Sequence, residues 1–122
     1  KLILLMLAEA GFITMNMPAL LDALESVGVD NPIICANINK INFRMCGGLA
    51  TYEKTIRERR FRPIAMSVFA SGAIPAEEAL DYVCKQPKIE SIVFGASSRG
   101  NIKNTKELVE KLDAKYAASA AS

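Results

Sequence analysis

The 122-residue sequence contains no histidine and no tryptophan. Without histidine the commonest general acid/base and the usual metal ligand are missing. A hydrolytic triad or a zinc site within this chain is therefore not expected. Cysteine is scarce and odd in number. Cys35, Cys46 and Cys84 show no metal-ligand spacing, which predicts reduced thiols in a cytoplasmic protein. Net charge is only +2, too little to argue for a nucleic-acid partner. The basic cluster Arg57, Arg59, Arg60 and Arg62 alternates with Glu53 and Glu58, as a solvated helix face does. No aromatic residues interleave it as base-stacking platforms would. No apolar run is long enough to span a membrane. The opening Lys1–Ala10 has the outline of a secretory signal, yet its apolar core is only about seven residues. It reads better as the end of a helix, or a strand, within a larger fold. The chain is thus one domain or a fragment of one.

What is present is a repeated strand-to-helix pattern. Phe12–Asn16 is apolar and β-branched enough for a buried strand. Pro18 then opens a helix carrying Leu20, Leu21, Leu24 and Val27, which Gly28 stops. Pro32–Ala36 is a continuous apolar run, suited to a strand covered on both faces. Polar Asn37, Asn39, Lys40 and Asn42 gather at its C-terminal end, and a loop over 44–48 leads into a helix from Leu49 to about Arg60. Pro63–Ala70 is the third strand. Its helix begins at Pro75, with Glu77 and Glu78 favourably placed in the first turn. The fourth unit runs from Ile92 into a helix ending near Leu112, and residues 113–122 are expected to fray. The pattern predicts an α/β fold of four βα units with parallel strands. An open flavodoxin-like sheet and an eight-unit barrel both remain compatible with it.

The fourth unit is the most informative. Its apolar Ile92-Val93-Phe94 passes into Gly95-Ala96-Ser97-Ser98-Arg99-Gly100-Asn101 at a helix start. The free N–H groups and positive dipole end of such a start can hold an anion. Ser97 and Ser98 could cap the helix or donate to a phosphate, and Arg99 could add charge. A serine-capped helix after a buried strand is the plainer reading. Ser67, Ser71 and Gly72 form a second small-residue loop, either a turn or a contact for a pyrophosphate. Lys40 is the only amine near a strand end, and Cys46 could be an exposed thiol.

Taken in order, the four strand ends resemble the second half of an aldo-keto reductase barrel. Gly11-Phe12-Ile13-Thr14-Met15-Asn16 is similar to the fifth-strand Gly-Phe-Ser-Thr-His-Asn. Asn37-Ile38-Asn39-Lys40-Ile41-Asn42 stands for the sixth-strand Asn-Gln-x-x-Tyr-Asn. Ala65-Met66-Ser67-Val68-Phe69-Ala70-Ser71-Gly72 resembles the seventh-strand Ala-Tyr-Ser-Pro-Leu-x-x-Gly. Gly95-Ala96-Ser97-Ser98-Arg99-Gly100-Asn101-Ile102 resembles Gly-Ala-Ser-Ser-x-x-x-Ile/Leu, the most specific of the four. The likeness covers about residues 11–112.

The resemblance implies half of a (β/α)8 TIM-type barrel, with the cofactor across the C-terminal strand ends. It places the 2′-phosphate of NADPH on Ser97, Asn101 and the helix N-terminus, with NADH as the alternative cofactor. Gly95, Ala96, Ser97, Ser98, Arg99, Asn101, Ser67 and Asn104 are the candidate cofactor contacts. The family's carboxamide-binding pair is Ile13-Thr14 here, its glutamine is Ile38, its stacking aromatic is Met66, and its closing Glu-Asn pair is Asn104-Thr105. The family's catalytic Asp, Tyr, Lys and His belong to the first four units, so no catalytic and no metal-binding residue is assigned here. The function implied is NAD(P)-dependent hydride transfer to a small-molecule aldehyde or ketone. The alternatives are a non-enzymatic nucleotide- or phosphate-binding barrel, and a self-assembling half-barrel. Uncovered strand edges call for the remaining half-barrel or self-association.

Overall fold

The computed structural model describes residues 9–121. The signal-like reading of Lys1–Ala10 and the end of the tail at Ser122 lie largely outside these residues. The described chain is α/β. Strands β1 (Gly11–Thr14), β2 (Ile33–Asn37), β3 (Arg62–Met66) and β4 (Ser91–Ile92) alternate with helices α1 (Met17–Ser26), α2 (Leu49–Glu58), α3 (Ala76–Lys85) and α4 (Arg99–Ala121). A single 3-10 turn, Ala70–Gly72, follows β3.

The strands form one parallel sheet in the order β1-β2-β3-β4. The order contains no switch point, unlike a doubly wound open sheet. Register aligns Ile13 with Cys35, Cys35 with Ile64, and Ile64 with Ser91. Crossovers of one hand that always step the same way set their helices on one face. Burial agrees. Ile34, Ala36, Pro63 and Ala65 are buried, in one core with Leu21, Tyr52, Ile56, Leu80 and Leu112 of the helices. Their alternates Ile33, Cys35, Ile64 and Met66 are only half-buried, and Ile13 is 72% exposed. The sheet has a covered face and an open one.

Several boundaries differ from the sequence reading. β1 stops at Thr14 because Thr14 Oγ1 accepts the Asn16 N–H at 2.8 Å and Asn16 turns to cap α1, its Oδ1 accepting from Ala19 N–H at 3.2 Å. β3 ends at Met66 rather than near Ala70, since Ser67 enters left-handed backbone at φ 53°. α4 runs on to Ala121, well beyond Leu112, where a frayed tail was expected. The reason is tertiary: Tyr116 donates to Asp81 Oδ1 at 2.7 Å, and Lys115 pairs with the same carboxylate at 3.1 Å. An alanine-rich end with high helix propensity is thereby held along α3.

Two side-chain bridges fix the helix layer. Tyr52 of α2 is fully buried; its hydroxyl donates to the Met15 carbonyl (2.9 Å) and accepts the Met17 N–H (3.0 Å). It thus satisfies backbone groups where β1 turns into α1. Tyr82 of α3 donates to Glu53 of α2 at 2.8 Å; burial, and then that carboxylate, raise its pKa well above the ordinary tyrosine value. Three of the four arginines of the basic cluster are ion-paired. Arg59 meets Asp22 and Glu25, Arg60 meets Asp30, and Arg62 meets Glu90 and Glu9.

Tyr52→Phe leaves the Met17 N–H without its acceptor and is expected to cost about 1–3 kcal/mol, the range for orphaning a buried donor. Urea unfolding of the two proteins measures it, and an unchanged midpoint would refute the bridge. Asp81 titrates below its ordinary value of 3.8, first through the Tyr116 hydroxyl and then through Lys115. Its contribution is present above that ordinary value and is lost as pH falls through the lowered one. Asp81→Asn is therefore expected to speed amide exchange over residues 113–121 at neutral pH and to leave that rate less acid-sensitive.

Candidate functional site

The C-terminal ends of β3 and β4 open onto a cavity of 910 Å³. One wall is the loop after β3, from Ser67 to Gly72; the other is the segment after β4, from Val93 to Ser97, continued by the first turns of α4. Both segments carry small residues, and in the first of them the backbone turns sharply. Ser67, Ala70, Ser71 and Gly72 all have positive φ, between 48° and 84°. For the three non-glycine residues this conformation is costly, and it persists only where surrounding structure enforces it.

Of the sequence-derived candidates, Ser67, Gly95, Ala96, Ser97, Asn101 and Asn104 line this one cavity. Ser98 and Arg99 do not. Ser98 is the cap of α4: its Oγ accepts the Asn101 N–H at 3.1 Å, and its carbonyl accepts the Ile102 N–H. Arg99 is exposed and contributes no wall. Asn101 Nδ2 donates to Ser97 Oγ at 2.9 Å, so these two polar groups are already set against each other. Gly95 is telling in another way. A Cβ there would meet nothing within 4 Å, so packing does not require glycine at that position.

Among the described residues no charged one lines the cavity. Its polarity comes from serine and asparagine side chains and from the starts of α3, at Ala76, and α4. Such dipoles favour an anion without a formal counter-charge. Phe69, Ile74, Phe94 and Leu108 form the apolar part. Phe69 and Phe94 meet edge to face, centroids 6.3 Å apart and planes at 82°. These aromatics were not singled out from sequence. The signal was there: Val68-Phe69-Ala70-Ser71-Gly72 and Val93-Phe94-Gly95-Ala96-Ser97 repeat one design at two strand ends.

Other candidates go elsewhere. Lys40 is ion-paired with Glu78 in the first turn of α3. Asn37 and Asn39 are buried loop staples: Asn37 Nδ2 donates to the Arg44 carbonyl (3.1 Å), while Asn39 accepts the Phe43 N–H (2.8 Å) and donates to the Phe43 carbonyl (2.9 Å). Ile38 is wholly buried, Ile13 lies on the open sheet face, and Met66 is outside the cavity wall. Ile13, Ile38 and Met66 are thus not brought together with Ser97 and Asn101 at the cavity. Burial raises the pKa of the Cys35 and Cys84 thiols, which keeps them protonated at neutral pH. Among the described residues no cluster of His, Cys, Asp and Glu could hold a metal ion, and no helix is long and apolar enough to cross a membrane.

Ser98→Ala removes the α4 cap and is expected to cost about 0.5–2 kcal/mol. Chemical unfolding and amide exchange at residues 99–103 test this; unchanged exchange there would show that the cap does not hold the helix start.

No family model, curated protein or solved structure matches the chain.

Proposed function

We propose that this chain is the cofactor-phosphate half of an aldo-keto reductase-like oxidoreductase, built as half of a (β/α)8 barrel. NADPH, or NADH, would anchor its phosphates at Ser97, Asn101 and the start of α4. Hydride would pass to an aldehyde or ketone, with the proton supplied by residues outside this chain, which alone is expected to be inactive. The observation that carries the reading is the convergence of six candidate residues on one uncharged, dipole-lined cavity at parallel strand ends. That is where barrel enzymes build their sites. Gly95, which the fold does not need, suits close approach of a ligand to backbone. The paired Ser97 and Asn101 are preorganised to donate to an oxyanion.

A second reading has specific support. Ile13, Ile38 and Met66 offer no carboxamide donor, and Ile38 is closed off in the core. A binding barrel without hydride chemistry, acting as a nucleotide or phosphate sensor, fits those three residues better.

Calorimetric titration with adenosine 2′,5′-bisphosphate and, separately, nicotinamide mononucleotide tests the site. The adenosine compound is expected to bind and the nicotinamide compound not to. Ser97→Ala and Asn101→Ala are each expected to weaken binding by about tenfold, the loss of one charge-assisted hydrogen bond. Absence of binding, or binding indifferent to both substitutions, would overturn the phosphate site. NADPH oxidation by the complete barrel with a panel of aldehydes then separates the reductase from the sensor.

A further inference from the structure

The loop from Ser67 to Gly72, one wall of the cavity, is built from backbone that its residues do not favour. Ser67, Ala70 and Ser71 lie at φ 53°, 48° and 57°, where a β-carbon crowds the following carbonyl oxygen. Among the described residues the other non-glycine positions at positive φ are Asn31, Asn42, Arg44 and Lys88. Two of these are asparagines, which tolerate that conformation, and nowhere else do three share a loop. A loop that only had to turn could use glycine at each position, as it does at Gly72. Packing and hydrogen bonds hold this one instead. Val68 and Ala70 are each 1% exposed. The Ala70 N–H donates to the Ser67 carbonyl at 3.0 Å, and the Gly72 N–H to the Phe69 carbonyl at 2.9 Å. Phe69 stands edge to face against Phe94 of the opposite wall. Of the six residues only Ala70 does not line the cavity; its methyl is buried instead.

We infer that this loop is a rigid, preformed wall, which gives up folding stability so that Ser67, Phe69 and Ser71 are set at the cavity before a ligand arrives. For a residue with a β-carbon the left-handed region is small, so displacement is resisted. For glycine the same region is broad. A wall of glycines would be free of the crowding but would also wander. A ligand would then have to select the competent arrangement from that population, and its apparent affinity would fall by the fraction populated. Costly backbone of this kind persists only where its surroundings over-determine it, and it clusters at ligand sites. Here the buried Val68 and Ala70 and the Phe69–Phe94 contact supply that determination. Ala70 is on this view a positioning residue, acting through its neighbours Phe69 and Ser71. The rigidity of the wall is independent of the ligand's identity; only the binding probe used to test it rests on the phosphate site proposed above.

Two substitutions at the exposed Ser71 separate backbone from side chain in the full chain. Ser71→Gly removes the crowding, whereas Ser71→Ala keeps it and removes only the hydroxyl. Ser71→Gly is expected to raise the folding equilibrium constant from urea unfolding about threefold, the relief of the crowding less the added freedom of the unfolded chain. The same variant is expected to speed amide exchange over residues 69–72, and to weaken calorimetric binding of adenosine 2′,5′-bisphosphate about threefold as the competent fraction falls. Ser71→Ala is expected to match wild type in all three. Ala70→Gly, at a position outside the cavity wall, is expected to speed exchange and weaken binding as Ser71→Gly does. Stability and affinity moving in opposite directions is the signature, since a loop that merely turns would gain stability from glycine with exchange and affinity unchanged. That result, a loss of stability in Ser71→Gly, or an equal loss of affinity in Ser71→Ala would each overturn the inference. If wild type does not bind the probe, the phosphate reading falls, and unfolding and exchange alone decide whether the wall is rigid and costly.

Discussion

A parallel sheet that always steps the same way can be covered by its own helices on one side only. The remaining architecture follows from that constraint. Each crossover returns over the same face, so Ile34, Ala36, Pro63 and Ala65 are sealed while Ile13, one strand over, stands in water. The helix layer then has to be tied to itself and to the strand ends. Tyr52 does this between α2 and the β1–α1 turn, Tyr82 between α3 and α2, and Asp81 between α3 and α4. Arg62 performs the equivalent task at the strand starts, reaching Glu90 and Glu9 from the third strand. These links sit between units, which is why four short strands can hold one register.

The same constraint directs the chemistry to one end. All four strands point the same way, so their C-terminal ends share a rim, and the helix N-termini that follow them share it too. The ends of β3 and β4 have small residues and line one cavity. The end of β2 has Asn37 and Asn39, whose amides brace the 39–44 loop. Two of the strand ends, then, are walls of a cavity, and a third is a brace. Among the described residues the cavity wall carries no charge, and its polar groups include the paired Ser97 and Asn101.

Apolar runs, the Pro starts, the Gly28 stop and the Ser97-Ser98 helix start in the sequence marked the four βα units, because those signals are local. The strand lengths were less legible. Val68 and Phe69 read as a continuation of β3, but Ser67 breaks it by adopting left-handed backbone that only tertiary context selects. The reach of α4 was missed for the same reason: Tyr116 finds Asp81 across 35 residues, and no periodicity within the tail encodes that. Within the site, the Ser97–Asn101 pairing follows from i,i+4 spacing at a helix start. The Phe69–Phe94 contact needed the sheet to bring two distant strand ends together. Arg99 shows the converse. Its place in the motif suggested a charge for the ligand, but the first turn of α4 leaves it outside the cavity.

Val93 connects the open face to the cavity. It is 55% exposed at the uncovered side of the sheet, and it also forms part of the cavity wall. The cavity therefore meets the open face at the end of β4. Whatever covers Ile13 and Val93 also removes water from beside Ser97 and Asn101, and dipolar groups hold an anion far more strongly once water is excluded. On this geometry, anything that covers that face at Val93 also closes off the cavity. A site made of neutral donors has the most to gain from that coupling, since it has no formal charge to act through solvent.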